Sequence, residues 1–165
     1  GLKINIATNA TVYSKRVRKI LEQNNAHINV SIDSLEPEKY AEIRINGKLS
    51  KVFKNFELYK QYCSDGKRSL SVMVNPMRNN WWEMINFIEF ADKHGVNLWY
   101  NTILYPEKYA LHNLPSKELK NIYDTLTKKL EDYKRSAPGR KYNIHVGEHL
   151  VHNQIKNWLL DSYVV

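Results

Sequence analysis

Apolar and polar positions alternate over residues 3–8 (KINIAT), a β-rich run that predicts a strand. The spacing then lengthens to helical over Val12–Gln23, where Val12, Val17, Ile20 and Leu21 form one stripe. His27–Ser31 reads as a second strand, and Glu36–Arg44 as a short helix with Pro37 in its first turn. Leu49–Cys63 is a longer helix that offers Val52, Phe53, Phe56, Leu58, Tyr59 and Tyr62 for packing, and Ser64-Asp65-Gly66 stops it. Leu70–Val74 is a third strand. Asn80–His94 is an amphipathic helix with Met84, Phe87, Ile88 and Ala91 inward and Gly95 as its stop, and Val96–Leu104 is a fourth strand. Each strand but the last leads into helix, which argues for parallel βα units.

The pattern changes after Pro106: residues 107–116 read as loop, Ser116 as an N-cap, and Glu118–Lys134 as a long charged helix. Ala137-Pro138-Gly139 breaks that helix. A last one is expected from about Ile144 to Tyr163, with Val151, Ile155, Trp158, Leu159 and Ser162 as its stripe. The expected class is therefore α/β: four parallel strands with flanking helices over residues 1–106, then a helical extension over 107–165.

Composition narrows the class without naming a function. At 165 residues the chain suits one domain, and no apolar run approaches a membrane span. Cys63 is the sole cysteine, so neither an intrachain disulfide nor a cysteine cluster fits, and a reducing cytoplasm is the expected setting. The net charge of +8 is spread along helix faces (Lys15, Arg16, Arg18 and Lys19; Lys128, Lys129, Lys134 and Arg135), which describes a solvated basic surface better than a nucleic-acid site. The chain starts at Gly1 and runs straight into a strand, as a piece of a longer protein would. The aromatic pairs Trp81-Trp82 and Trp99-Tyr100 suggest core or seam packing, but neighbouring rings cannot all face inward, so some aromatic surface should be exposed.

The candidate chemistry sits at the expected C-terminal ends of the strands, the side on which βα proteins bind ligands: Thr8-Asn9, Ser31-x-Asp33, Asn75 and Asn101. A hydroxyl beside a carboxylate suits a sugar hydroxyl pair or an amine, and Arg44 can fork onto a carboxylate or phosphate. Together they suit a zwitterionic or ribose-bearing ligand. Such residues also serve simply as loop and cap residues.

Thr8-Asn9-Ala10, Val30-Ser31-Ile32-Asp33-Ser34, Tyr40, Ile43-Arg44, Gly47-Lys48, Val52 and Asn55-Phe56 resemble, in that order, radical S-adenosylmethionine enzymes. So do Val74-Asn75, Arg78-x-Asn80-Trp81, Glu83, Phe87-Ile88-Glu89-Phe90-Ala91, Gly95-Val96 and the strand leading to Pro106. Leu111, Leu114-Pro115 and Leu119 resemble the segment leading out of the barrel in members with a C-terminal SPASM-type extension. The resemblance implies a partial (β/α)6 barrel, a [4Fe-4S] cluster, S-adenosylmethionine and a 5′-deoxyadenosyl radical that abstracts hydrogen from a small-molecule or peptide substrate. It places Ser31 and Asp33 on the ribose or methionine part of S-adenosylmethionine, Arg44 on the methionine carboxylate, Asn75 on a strand lining the site, and Asn9 and Asn101 toward substrate.

The departures weigh as much as the matches. The family's CxxxCxxC and the GGE-type strand after it are not in this sequence, and Cys63 alone cannot hold a cluster. Ala10 stands where the family has glycine, and its Cβ resists positive φ, so that turn is expected to differ. The chain thus resembles strands three to six of such a barrel, and is expected to be inactive by itself and to bind no cofactor alone. The first strand would be an open edge, through which a homo-oligomer is expected. Two alternatives stand beside this reading. One is a non-catalytic βα module for a nucleotide-like ligand. The other is a zinc site from His145, Glu148, His149 and His152, which share one face if that segment is an α-helix; His-x-x-Glu-His is the inverzincin spelling.

Overall fold

A computed structural model describes residues 4–136, 139 and 141–163 of the chain. Lys3 of the first expected strand and the Ala137-Pro138 break fall outside those residues. The chain divides into two compact units, residues 1–74 and 75–165, and its class is α/β, as the periodicity predicts.

The first unit runs β1 (Asn5–Thr8), α1 (Lys15–Asn24), β2 (His27–Ser31), α2 (Pro37–Ile43), α3 (Leu49–Asp65) and β3 (Leu70–Val74). β2 lies parallel to both other strands, with Asn5 opposite His27 on one side and Ile28 opposite Leu70 on the other. This register puts Ile28 and Val30 beside Leu70 and Val72, all buried together with Val52, Phe56 and Tyr59 of α3. Removing these side chains from water is the main favourable contribution to this unit, worth about 1.5–3 kcal/mol for each large one. Tyr62 joins the units of local structure: its hydroxyl donates to Leu21 O (2.9 Å) and accepts from Ala26 N (2.9 Å), fixing the turn from α1 into β2.

α1 departs from its expected packing. Ser14 caps it by accepting from Val17 N (3.3 Å), but only Leu21 of the stripe is buried; Ile20 and Val12 are 45 % and 55 % exposed. Val12, Val17, Ile20 and Leu21 instead line an open groove of about 300 Å³ together with residues of β1 and Tyr59. At the far end of α3 the left-handed residue is Lys67 (φ 53°), not Gly66 (φ −107°); Gly66 leaves the room into which the Arg68 guanidinium folds.

The second unit runs through a 3₁₀ turn (Trp81–Glu83) into α4 (Met84–His94), then β4 (Asn97–Tyr100), 3₁₀ turns at Glu107–Tyr109 and Leu111–Asn113, and α5 (Ser116–Ser136). It ends in α6 (Lys141–Glu148), a π-helical stretch (His149–Ile155) and α7 (Lys156–Asp161). Its core gathers Met84, Phe87 and Ile88 of α4, Leu98 of β4, Leu119, Leu126 and Leu130 of α5, and Leu150, Val151 and Ile155. Gly95 (φ 68°) ends α4 in the left-handed cap that glycine permits at least cost. β4 is shorter than the expected Val96–Leu104, because the backbone after Tyr100 leaves the strand. The loop expected at 107–116 is partly ordered by Arg78, whose Nε donates to Ala110 O (3.0 Å) and Nη2 to Asn113 O (3.1 Å). No helix among the described residues is long and apolar enough to cross a membrane.

Candidate functional site

The turn after β1 is built by its own side chains. Thr8 Oγ1 accepts from Ala10 N (3.1 Å), and Asn9 Oδ1 accepts from Thr11 N (3.1 Å) and Thr11 Oγ1 (2.8 Å). Ala10 sits at φ 53° despite its Cβ, so alanine takes the left-handed conformation that the sequence argued against. The reason is tertiary: Asn55 of α3, itself buried, donates from Nδ2 to Ala10 O (2.7 Å), and Tyr59 OH donates to Val12 O (3.0 Å). The resemblance attaches no role to Asn55, and in the structure it braces this loop.

Past β2, Ser34 Oγ accepts from Glu36 N (3.0 Å) and opens α2, which ends at Arg44. Asn46 (φ 62°) and Gly47 turn the chain back, and Gly47 is sterically required. A Cβ there would lie 2.6 Å from Arg44 O and 2.7 Å from Tyr40 Cε1, the first a backbone atom that cannot yield cheaply. Arg44, the C-cap of α2, turns its side chain back to Asp33. Nε and Nη2 of Arg44 reach Asp33 Oδ2 at 2.7 and 2.5 Å. Asp33 is 2 % exposed, whereas the Arg44 side chain is 35 % exposed. The two groups expected to hold separate parts of a ligand hold each other, and only the arginine faces solvent. Beneath them Tyr40 is fully buried, and among the described residues its hydroxyl has no hydrogen-bond partner. Burial pushes the Tyr40 phenol up, with Arg44 pulling it down and Asp33 pushing it further up. Ser31, half-buried, ends β2 opposite Met73.

The other expected residues belong to the second unit. Asn75 is half-buried and its main-chain carbonyl accepts from Asn80 Nδ2 (2.9 Å), while Asn80 Oδ1 accepts from Met77 N (2.7 Å). Asn101 is exposed, as is Asn9 in the first unit.

The four-residue zinc site is not assembled. Glu148 Oε1 is engaged by Lys134 Nζ (2.9 Å), and His152 Nδ1 lies 3.5 Å from Tyr123 OH, on α5. Among the described residues no group of three or more His, Cys, Asp or Glu is placed to hold a metal ion. The cause is the π-helical stretch that starts at His149: its wider turn breaks the seven-residue return to one face on which the expectation depended. His145 and His149 instead line a cavity of about 450 Å³ with Trp99 and Tyr142, a site not expected from the sequence. Its signal was present: Tyr142, His145, Val146 and His149 fall at i, i+3, i+4 and i+7.

Cys63 does not offer a cluster ligand. It is buried, its Sγ lies 3.5 Å from Ser69 O, and burial pushes its thiol up to about 11. The residues of this chain therefore do not fit an iron–sulfur cluster.

No family model matches the chain. It is 27 % identical over 99 residues, or 59 % of its length, to a molybdenum cofactor biosynthesis protein of Caenorhabditis elegans. The aligned stretch is 16 % of that protein's own length, so the likeness concerns one part of a much longer chain.

Proposed function

We propose that this chain is a βα part of a radical S-adenosylmethionine enzyme and works in the making of a cofactor or another small molecule. The observation that carries the reading is the Asp33–Arg44 pair at the end of β2, which falls on two positions of the resembling string and leaves one cation facing outward. The ordered resemblance, the α/β class and the likeness to a molybdenum cofactor biosynthesis protein support it. In this reading Arg44 meets the methionine carboxylate, and Asp33 sets the angle of the guanidinium rather than touching the ligand. That is a refinement of the separate contacts expected from the sequence. Ser31 is a further contact, and Asn75, Asn9 and Asn101 keep the roles that the resemblance implies.

Radical chemistry in this family is supplied by a thiolate-held cluster. Cys63 cannot provide it, so thiolates have to come from another segment and the chain alone is inactive. The reading is tested on the gene and on the protein. The reading frame upstream of Gly1 should encode CxxxCxxC within roughly 100 residues, about one βαβ step back. A frame with no such motif refutes the enzyme. Calorimetry with S-adenosylmethionine and S-adenosylhomocysteine should show binding that Arg44→Met weakens about tenfold, the size of one charge-assisted pair. Binding without an upstream cysteine motif would favour the second reading, a non-catalytic module for a nucleotide-like ligand, which the buried Cys63 supports.

A further inference from the structure

The cavity of the second unit is built from one strand residue and one helix face. Leu98 of β4 points into the core, so Trp99, next along the strand, points out and is 49 % exposed. Tyr142 of α6 meets it edge to face, with ring centroids 5.6 Å apart and planes at 70°. His145 of α6 and His149, which opens the π-helical stretch, follow on the same side, one turn apart. Gln154 Nε2 donates to Thr102 Oγ1 and closes one end. Tyr100 also lines the cavity, but its hydroxyl donates to Met84 O, so it serves as wall.

The volume, about 450 Å³, lies in the range of small-molecule sites. The lining offers several donors: the Trp99 indole N–H can only donate, Thr102 keeps its own hydroxyl proton after accepting from Gln154, and each neutral imidazole brings one ring N–H beside one acceptor nitrogen. Among the described residues no carboxylate lines the cavity. A site with aromatic walls, two imidazoles whose N–H groups can turn toward an anion and no carboxylate in its lining suits a flat ring that carries acceptors.

We propose that this cavity binds a planar aromatic carboxylate, with the ring against Trp99 and Tyr142 and the carboxylate on His145 and His149. The site lies wholly in the second unit and does not rest on the radical S-adenosylmethionine reading.

The test is a titration of the full chain with 2-naphthoate, followed by calorimetry and by the indole N–H resonances. One equivalent should bind, and the Trp99 indole signal should move while those of Trp81, Trp82 and Trp158 stay. The H145Q/H149Q double variant should weaken 2-naphthoate about tenfold and leave 2-naphthamide unchanged, and Trp99→Ala should weaken both. Three results would each overturn the proposal: no binding at millimolar 2-naphthoate, tighter binding of 2-naphthylmethylamine than of the acid, or saturation with no movement of the Trp99 signal. All three are read on the wild-type protein, so a variant that fails to fold does not blunt the test.

Discussion

Asn143 is a buried polar side chain whose removal tests how the second unit is held together. Its Oδ1 accepts from Leu98 N (2.9 Å), and its Nδ2 donates to Val96 O (3.0 Å) and to Asp92 Oδ1 (2.7 Å). One amide thus ties α6 to the backbone of β4 and to the end of α4. Asn143→Leu keeps the volume and removes all three bonds. The two neutral bonds contribute about 0.5–1.5 kcal/mol each and the bond to the carboxylate about 1.5–3. Leu98 N–H, on a residue of zero exposure, is left without that partner, which puts its bond at the upper end of the neutral range, about 1.5 kcal/mol. Added leucine burial offsets roughly 1–2 kcal/mol. The net expectation is a loss of about 3 kcal/mol. With an m-value near 2 kcal/mol/M, the urea midpoint should fall by about 1.5 M. Tryptophan fluorescence is the right probe, because all four tryptophans (81, 82, 99 and 158) lie in this unit. Asn143→Asp separates hydrogen bonding from volume. It keeps the acceptor for Leu98 N but sets a carboxylate against Asp92, so like-charge repulsion raises the new group's folded pKa above its unfolded value. Its stability should be fully present below the unfolded pKa and be lost as pH rises through the folded one. A midpoint shift under about 0.3 M for Asn143→Leu would refute the accounting.

Three further outcomes are expected. Ala10→Gly relieves a left-handed alanine worth about 1–2 kcal/mol but gives back about 0.5–1 through the looser unfolded chain. The variant should be up to about 1 kcal/mol more stable by urea titration, and a loss of stability would show that Asn55 does not hold the strained turn. The Cys63 thiol, raised from 9.0 to about 11, should stay unreactive to a disulfide reagent at pH 8 until the protein unfolds. Because the folded pKa exceeds the unfolded one, its contribution to stability is complete below about pH 9 and is lost as pH rises through about 11, readable from urea midpoints across that window. β1 pairs with β2 along one side and flanks an open apolar groove, so light scattering should give a mass above 19.5 kDa, reduced by Val12→Lys with Ile20→Lys. A monodisperse monomer at high concentration would sink that expectation.

Local spacing alone determined the order of strands and helices, because each element's period is written in its own residues. Pro37, Gly95 and the short helix before Arg44 acted within one turn of where they sit, and they were legible for that reason. So was the cluster of polar groups at the strand ends. The sequence could not say which of those groups meet. Arg44 and Asp33 are eleven residues apart, and only the way α2 packs between them decides that they pair with each other. Ala10 takes its left-handed conformation because Asn55, forty-five residues on, holds its carbonyl. The histidine stripe failed as a zinc site because the helix widens at His149, and the side that remains faces Trp99 from another element. Periods are local and survive in sequence, whereas partners, burial and the exact turn of a helix depend on what packs against it.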